Sequence, residues 1–333
     1  MLYYNVVYTG NFWKVCLMRY IISFCLASIL TLPALITPAS AEVPRVVTDV
    51  PPIGSLVAQV MGDLGAPVVL LDKGADAHAF QLRPSQAADL AAAQAIIWIG
   101  PEMTPWLDRA AGINTGAVDL RLLSVPGTLV QPFAEGHEDD DAAAHNHAAA
   151  AHDHAAEAHD HGDLDPHAWL DPANAGLWLG EIARTFSDLD PDNAATYAAN
   201  ARAAQADLLQ LDADLKVQLA PAQGHPLVVF HNAYGYFAGH YGLNVVGAVS
   251  DGDAANPGAA HLRALQATMA EAPVCLFPEV NHDPKLLAVL ADATGVRVGA
   301  ALDPEGSALP NGPALYADLM RALAAAIAGC VAG

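Results

Sequence analysis

The chain has 333 residues, 53% of them hydrophobic and 15% charged, a composition typical of a globular protein long enough to form two domains. Its formal net charge of −22 argues against nucleic acid as a partner, because binding a phosphate backbone requires a basic surface. An acidic balance of this kind suits a protein that attracts cations.

The amino terminus has the pattern of a cleavable export signal. Arg19 precedes the apolar stretch 21–36, and an A-x-A sequence ends at Ala41. We therefore expect cleavage after Ala41 and a mature periplasmic protein that begins at Glu42. Met18 is an alternative start. The other interpretation is a membrane anchor, but the prolines of this region and its small-residue exit argue against it.

Four cysteines occur, and two of them, Cys16 and Cys25, would leave with the signal. The mature chain keeps Cys275 and Cys330. An even pair in an exported protein predicts one disulfide, and two separate buried thiols are the alternative.

The body of the chain alternates short apolar runs with helical segments. The predicted strands form two sets, at 45–48, 67–71, 95–99 and 117–120, and at 227–230, 244–248, 274–277 and 296–300. Helix signals between them include Ser85 as an N-cap and Gly295 as a helix end. This alternation predicts an α/β fold with two lobes, each a small parallel sheet with flanking helices.

A long helical stretch without strands, about 172–220, lies between the two sets, with a break near Asp190 and Pro191. We expect its first half to form a rigid helix joining the lobes, because no flexible Gly/Ser linker is present. The predicted organisation is a signal peptide at 1–41, an N-terminal lobe at 42–171, the connector and following helices at 172–224, and a C-terminal lobe at 225–333.

Residues 134–163 are of low complexity and rich in histidine, alanine and acids. Three approximate heptads each carry an H-x-H doublet, which places both rings on one side of an extended chain. Since His-rich tracts commonly bind metal, we expect a disordered loop that binds zinc weakly; a solvated loop without metal is the alternative. Its histidines are His137, His145, His147, His152, His154, His159 and His161.

Outside this segment, a few residues occupy positions that suggest a ligand-binding cleft. His78 follows a strand of the first set, whereas His231 and Asp303 follow strands of the second set. Ligands in open α/β sheets lie at the carboxyl ends of strands. His167 lies just before the connector helix. Taken singly, each of these histidines is more often structural than a ligand. For the remaining histidines we expect surface positions at His225 and His240, and positions near helix starts at His261 and His282.

The sequence resembles the metal-binding cluster of ABC solute-binding proteins, and within it the zinc-specific ZnuA-type members, over nearly the whole mature chain. The motifs that carry the resemblance lie at 74–85 (GADAHAFQLRPS), 98–103 (WIGPEM), 165–172 (DPHAWLDP), 229–243 (VFHNAYGYFAGHYGL) and 299–306 (GAALDPEG). A His-rich insert before the third motif and a pair at Cys275 and Cys330 are also typical. Ala77 is a departure, because many relatives have proline there, and it affects loop stiffness more than ligand chemistry.

The resemblance implies that His78, His167 and His231 ligate one zinc ion, with Asp303 or a water molecule as the fourth ligand. Three imidazoles and one oxygen form a tetrahedral shell that suits Zn²⁺. Manganese prefers more oxygen ligands, and related manganese importers carry glutamate at the position of His231. Copper and nickel bind nitrogen-rich sites at least as tightly, so geometry does not separate them from zinc.

The same resemblance implies delivery of zinc to the membrane permease of an ABC importer, which works with a cytoplasmic ATPase. We expect the protein to be a monomer. The alternatives are a periplasmic zinc buffer or metallochaperone, a manganese-type solute-binding protein, and an adhesin. A catalytic zinc site also has three histidines and an open position, but no H-E-x-x-H motif occurs. No lipobox cysteine follows Ala41, which argues against a surface lipoprotein.

Overall fold

The computed structural model describes residues 42–333, apart from 76, 79, 113, 115, 134–163 and 251–256. The predicted signal peptide and the seven histidines of the low-complexity segment therefore lie outside the described residues.

Two parallel sheets form the framework of the described chain. The strands of the first are β1 (Val46–Thr48), β2 (Val68–Val69), β3 (Ala95–Trp98) and β4 (Val118–Arg121), and those of the second are β5 (Pro226–His231), β6 (Asn244–Ser250), β7 (Cys275–Leu276) and β8 (Arg297–Val298). The strand order is β2-β1-β3-β4 in one sheet and β6-β5-β7-β8 in the other, so both sheets share one topology. The predicted α/β fold with two small parallel sheets is confirmed.

The helices lie between and around these strands. They are α1 (Pro51–Met61), α2 (Pro84–Ala92), α3 (Pro105–Ala111), α4 (Pro172–Leu189), α5 (Ala194–Leu219), α6 (Gly235–Tyr241), α7 (Ala259–Glu271), α8 (Lys285–Thr294) and α9 (Leu315–Ala332). Gly295 ends α8 with a φ of +69°, as predicted from its freedom to adopt the left-handed conformation. The predicted cap at Ser85 is wrong, because Arg83 occupies the N-cap of α2 and its N–H donates to the Gln86 side chain at 2.8 Å.

The connector between the sheets is a helical hairpin, of which α4 is the first arm. Asp171 caps α4 by accepting a hydrogen bond from the N–H of Ala173 at 2.8 Å. After a turn at Pro191–Asn193, α5 returns antiparallel to α4, and Gln205 donates to the carbonyl of Gly176 at 2.8 Å. At 1.5 Å per residue, α5 spans about 39 Å. The predicted long helical link is therefore confirmed, while the lobe boundaries at 171 and 225 stay a prediction.

The carboxy-terminal helix α9 joins the two halves a second time by packing on α1 and α5. One hydrophobic cluster contains Ile97 of β3 and Val229 of β5, together with Leu211 of α5 and Leu323 of α9. By length and composition α9 is apolar enough to cross a membrane, but its buried face belongs to this cluster. Moving the sheets apart would expose that cluster, at a cost of about 25 cal/mol per Å² of apolar surface.

Cys275 of β7 and Cys330 of α9 form a disulfide with Cα atoms 6.2 Å apart. The predicted pairing is confirmed. Both residues are buried, and the bond ties the last turns of α9 to the second sheet. Closing a loop across a sequence separation of 55 residues stabilises the fold by roughly 4 kcal/mol in the chain-entropy account.

His240 was expected at the surface, and that expectation is wrong. Its side chain, on α6, is 16% exposed, and its ring nitrogens lie 2.9 Å from Oδ1 of Asp171 and 2.7 Å from Oδ1 of Asp212. Hydrogen bonding to Asp171, and then to Asp212, raises the pKa of His240 above its usual value, although burial opposes this. His240 thereby bridges α6 to the start of α4 and to α5.

We predict that His240→Gln destabilises the protein more at about pH 5.5 than at about pH 9. Only the charged imidazole donates from both nitrogens at once. Because the folded-state pKa is raised, this stabilisation is complete below the unfolded-state pKa and is lost as pH rises through the folded-state value. Thermal unfolding of the zinc-free mature protein at both pH values measures the difference. His225→Gln, at an exposed position, is the control, and an equal loss at both pH values would contradict the bridge.

Candidate metal centre

His78 lies in the loop between β2 and α2. The indole N–H of Trp106 donates to the carbonyl of Ala77 at 2.6 Å, which anchors the loop immediately before His78. At its far end, Arg83 forms an ion pair with Asp72 at 2.6 Å. The Trp106 bond thus holds the middle of the loop and the ion pair joins its two ends, and the Nε2 atom of His78 is buried.

His167 is the most buried of the predicted ligands, with 1% exposure. Oδ1 of Asp165 accepts a hydrogen bond from the backbone N–H of His167 at 3.0 Å and also lies 2.8 Å from its Nδ1. An ionised carboxylate only accepts hydrogen bonds, so Nδ1 carries the proton and Nε2 carries the lone pair. Nε2 is buried and has no hydrogen-bond partner within the described part of the chain, which fits a metal ligand.

His231 is the last residue of β5 and is 5% exposed. Its Nδ1 lies 2.6 Å from Oε2 of Glu279, and Oε1 of the same carboxylate accepts a hydrogen bond from the Tyr234 hydroxyl at 2.9 Å. Glu279 follows β7, the neighbour of β5. Like Asp165, this buried glutamate fixes the orientation of an imidazole and directs its Nε2 away from the carboxylate.

The rings of His78 and His231 both lie close to the ring of His167. The ring centroid of His167 lies 5.9 Å from that of His78 and 5.4 Å from that of His231. Separations of this size let imidazoles turn one nitrogen each toward a common ion. His78 comes from a loop of the first sheet and His231 from the end of a strand of the second, so both sheets contribute a residue near His167.

Asp303 lies in the second half of the chain, directly after a residue that pairs with Glu279. Leu302 pairs with Glu279 in a parallel bridge, which places Asp303 one residue beyond. Its Oδ1 accepts from the N–H of Ser307 at 2.9 Å, and its Oδ2 accepts from the N–H of Ala308 at 2.8 Å. These bonds hold the carboxylate in its own loop, and its role as a fourth ligand stays a prediction.

Three residues of this region were not assigned a role from the sequence. Asp165 is the first residue of the DPHAWLDP motif. Glu279 is an acid just beyond a buried strand, and that position could have indicated a role in the site. His282 was expected only near a helix start; it does precede α8, but it also forms a potential metal-binding group with His231 and Glu279. Of the other histidines, His225 is exposed and His261 lies in the first turn of α7, as predicted.

Imidazoles that converge from two parallel sheets of equal topology, braced by a helical connector, define the class of two-lobed metal-binding solute-binding proteins. The family model ZnuA, described as zinc-uptake complex component A, periplasmic, matches residues 46–330. The chain belongs to this family.

Individual relatives agree with this assignment. The high-affinity zinc uptake system protein ZnuA of Paracoccus denitrificans (strain Pd 1222) is 52% identical over 320 residues, covering 93% of this chain and 98% of that protein. A crystal structure of ZnuA superposes with a TM-score of 0.70 at 25% identity, covering 87% of this chain and all of that one. A 138–173 deletion mutant of ZnuA with zinc bound (in its own numbering) gives a TM-score of 0.69 at 25% identity, covering 87% and 98%.

We predict that Asp165→Asn weakens zinc binding by about 10- to 100-fold, the usual cost of removing a carboxylate that orients a ligating histidine. The substitution keeps an oxygen acceptor for His167 but removes the negative charge beside it. Competition with a chelating zinc indicator measures the affinity.

The matched control for Asp165→Asn is Asp190→Asn. Asp190 is equally buried, at 1% exposure, and accepts a hydrogen bond from Tyr197 at 2.8 Å, but it lies at the turn between α4 and α5. Its loss should lower stability without changing zinc affinity. If both variants weakened zinc binding to the same extent, Asp165 would act only through the fold.

Proposed function

We propose that this protein captures zinc in the periplasm with high affinity and delivers it to the permease of an ABC transporter. The transporter's ATPase then drives the transport of zinc across the membrane. The observation that carries the proposal is the cluster of His78, His167 and His231, in which His167 presents a buried Nε2 lone pair. The relative with 52% identity bears the name of a high-affinity zinc uptake protein.

In this proposal, His78, His167 and His231 each give zinc one neutral nitrogen, and Asp303 or water gives an oxygen. A tetrahedral shell of this composition suits Zn²⁺. The ion carries two positive charges, and the nearby carboxylates of Asp165 and Glu279 offset them across short distances. Both carboxylates accept hydrogen bonds from ring nitrogens, so they orient ligands instead of activating water, which favours transport over hydrolysis.

The proposal places the mature protein in the periplasm after removal of residues 1–41, as a monomer. The disulfide between Cys275 and Cys330 fits an oxidising compartment. The acidic net charge of −22 adds a favourable field for cations over the surface. The N-terminal sequence of the exported protein should begin at Glu42.

We predict that His167→Ala lowers zinc affinity by more than about 100-fold, exceeding the loss that follows removal of an orienting residue. In a strain that lacks the native gene, the variant should fail to restore growth in zinc-poor medium, whereas excess zinc should rescue growth. His225→Ala is the control, because that side chain is exposed and has no predicted ligand role.

Two outcomes would contradict the uptake role. Normal zinc uptake in the strain without the gene would indicate a zinc buffer with no permease partner. Equal affinity of His167→Ala and the native protein would remove the three-histidine site. The native affinity itself should fall as the solution is acidified, because protons compete with zinc for the imidazole lone pairs.

The His-rich segment 134–163 forms the second part of the proposal, as a set of weaker zinc sites that supply the cleft. Pro132 and Leu164, just outside it, pair in an antiparallel bridge, and the N–H of Asp165 donates to the carbonyl of Gln131 at 3.0 Å. The residues that flank the segment are therefore paired side by side, and Leu164 is three residues before His167. A tether of this kind raises the local zinc concentration near the cleft.

We predict that deleting residues 134–163 lowers the number of zinc ions bound while leaving one tight site nearly unchanged. A short turn can join the paired ends without moving His167, and a related protein with a 138–173 deletion in its own numbering was solved with zinc bound. Isothermal titration and metal analysis give the stoichiometry and affinity. Loss of the tight site would mean that the segment supplies direct ligands to the cleft.

A further inference from the structure

His282 borders the metal centre but is not among its predicted ligands. Its side chain is 28% exposed, whereas the side chains of His231 and Glu279 are 6% and 3% exposed. The ring stacks on Phe230 with centroids 4.1 Å apart and planes inclined by 23°. This stacking holds the imidazole beside His231, at a centroid distance of 6.1 Å, while part of the side chain stays open to solvent.

The distance from His282 to Glu279 suits a shared metal ion. Nε2 of His282 lies 3.6 Å from Oε2 of Glu279, which is beyond a normal hydrogen bond. Two ligand atoms of one tetrahedral zinc lie about 3.4 Å apart, because each bond is about 2.0–2.2 Å long. His231 relates to the same oxygen differently, since its Nδ1 is 2.6 Å away and forms a hydrogen bond.

The histidines form a row of decreasing exposure. His282 is partly exposed, His231 is nearly buried, and His167 is 1% exposed. Successive ring centroids are 6.1 Å and 5.4 Å apart. An ion that moves along this row exchanges one imidazole for the next without passing through an apolar region, which would impose a large desolvation cost.

We propose that His282 and Glu279 form a transient zinc site at the mouth of the cleft, through which the ion enters and leaves; this inference rests on the proposed zinc-binding function. Nε2 of His282 and the second lone pair of Oε2 of Glu279 each replace one water of the hydrated ion. The cleft histidines then replace His282, Oε2 of Glu279 and the waters, with Asp303 or one water left as the fourth ligand, and Glu279 keeps its hydrogen bond with His231. No electron or proton changes hands beyond the loss of imidazolium protons.

The shared glutamate makes this site transient. While Oε2 of Glu279 binds an ion at the mouth, it is a poorer acceptor for Nδ1 of His231, and the orientation of that ligand is weakened. Filling the mouth and filling the cleft therefore oppose each other. The mouth site should speed exchange without adding to the equilibrium affinity.

The test compares the native full-length mature protein with His282→Gln and His225→Gln by stopped-flow zinc binding and by zinc release to excess EDTA. Affinity is the ratio of the two rate constants, so loss of an exchange site slows both by the same factor. We expect His282→Gln to slow both association and release by about threefold or more, with an unchanged dissociation constant. His225→Gln, in the same half of the chain, should match the native protein.

Each other outcome has a distinct meaning. Unchanged rates in His282→Gln would overturn the inference. A dissociation constant raised by about tenfold or more through faster release would make His282 a ligand of the cleft itself. That result would also overturn the inference. Absence of tight zinc binding in the native protein would instead refute the proposed function. Thermal unfolding checks that all three proteins are equally folded.

Discussion

The proposed metal centre depends on one repeated interaction, a buried carboxylate that accepts a hydrogen bond from Nδ1 of an imidazole. Asp165 holds His167 in this way at 2.8 Å, and Glu279 holds His231 at 2.6 Å. Each pair fixes the tautomer, so that the lone pair lies on Nε2. It also stores negative charge beside the place where a cation binds. Neither imidazole could stay buried and correctly oriented without its carboxylate, because an unpaired buried donor is costly.

The two sheets share one strand order but place different residues at the position where that order reverses. In such sheets the natural binding position lies where the order reverses, between β1 and β3 in one and between β5 and β7 in the other. In the second sheet this position holds His231 and Glu279. In the first it is occupied by Asp49, which is fully buried and accepts hydrogen bonds from the N–H groups of Val50 and Ile99 at 2.8 and 3.0 Å; burial raises its pKa to about 6. In the proposed metal centre, the first sheet therefore contributes His78 from a loop after its edge strand β2 instead.

Local patterns were enough to predict the strands, the two sheets, the helical connector and the disulfide, because apolar runs, caps and cysteine parity are short-range signals. The prediction of a cap at Ser85 was wrong, because the Gln86 side chain accepts a hydrogen bond from the N–H of Arg83. Residue propensity does not tell which of two neighbouring residues takes the N-cap position. The expectation that His240 lies at the surface was wrong for a similar reason. Its partners Asp171 and Asp212 are 69 and 28 residues away in sequence, and only the packing of three helices brings them together. Glu279 and His282 can be recognised as part of the site only once β5 and β7 are known to be neighbours.

In the proposed site, one zinc ion is held by three imidazoles from both halves of the chain. The most direct measurement is a crystal structure of the mature protein with one equivalent of zinc, with anomalous data collected at the zinc edge. We predict one dominant anomalous peak about 2.0–2.1 Å from Nε2 of each of His78, His167 and His231. A dominant peak that contacts fewer than three of these nitrogens, or that lies within residues 134–163, would contradict it.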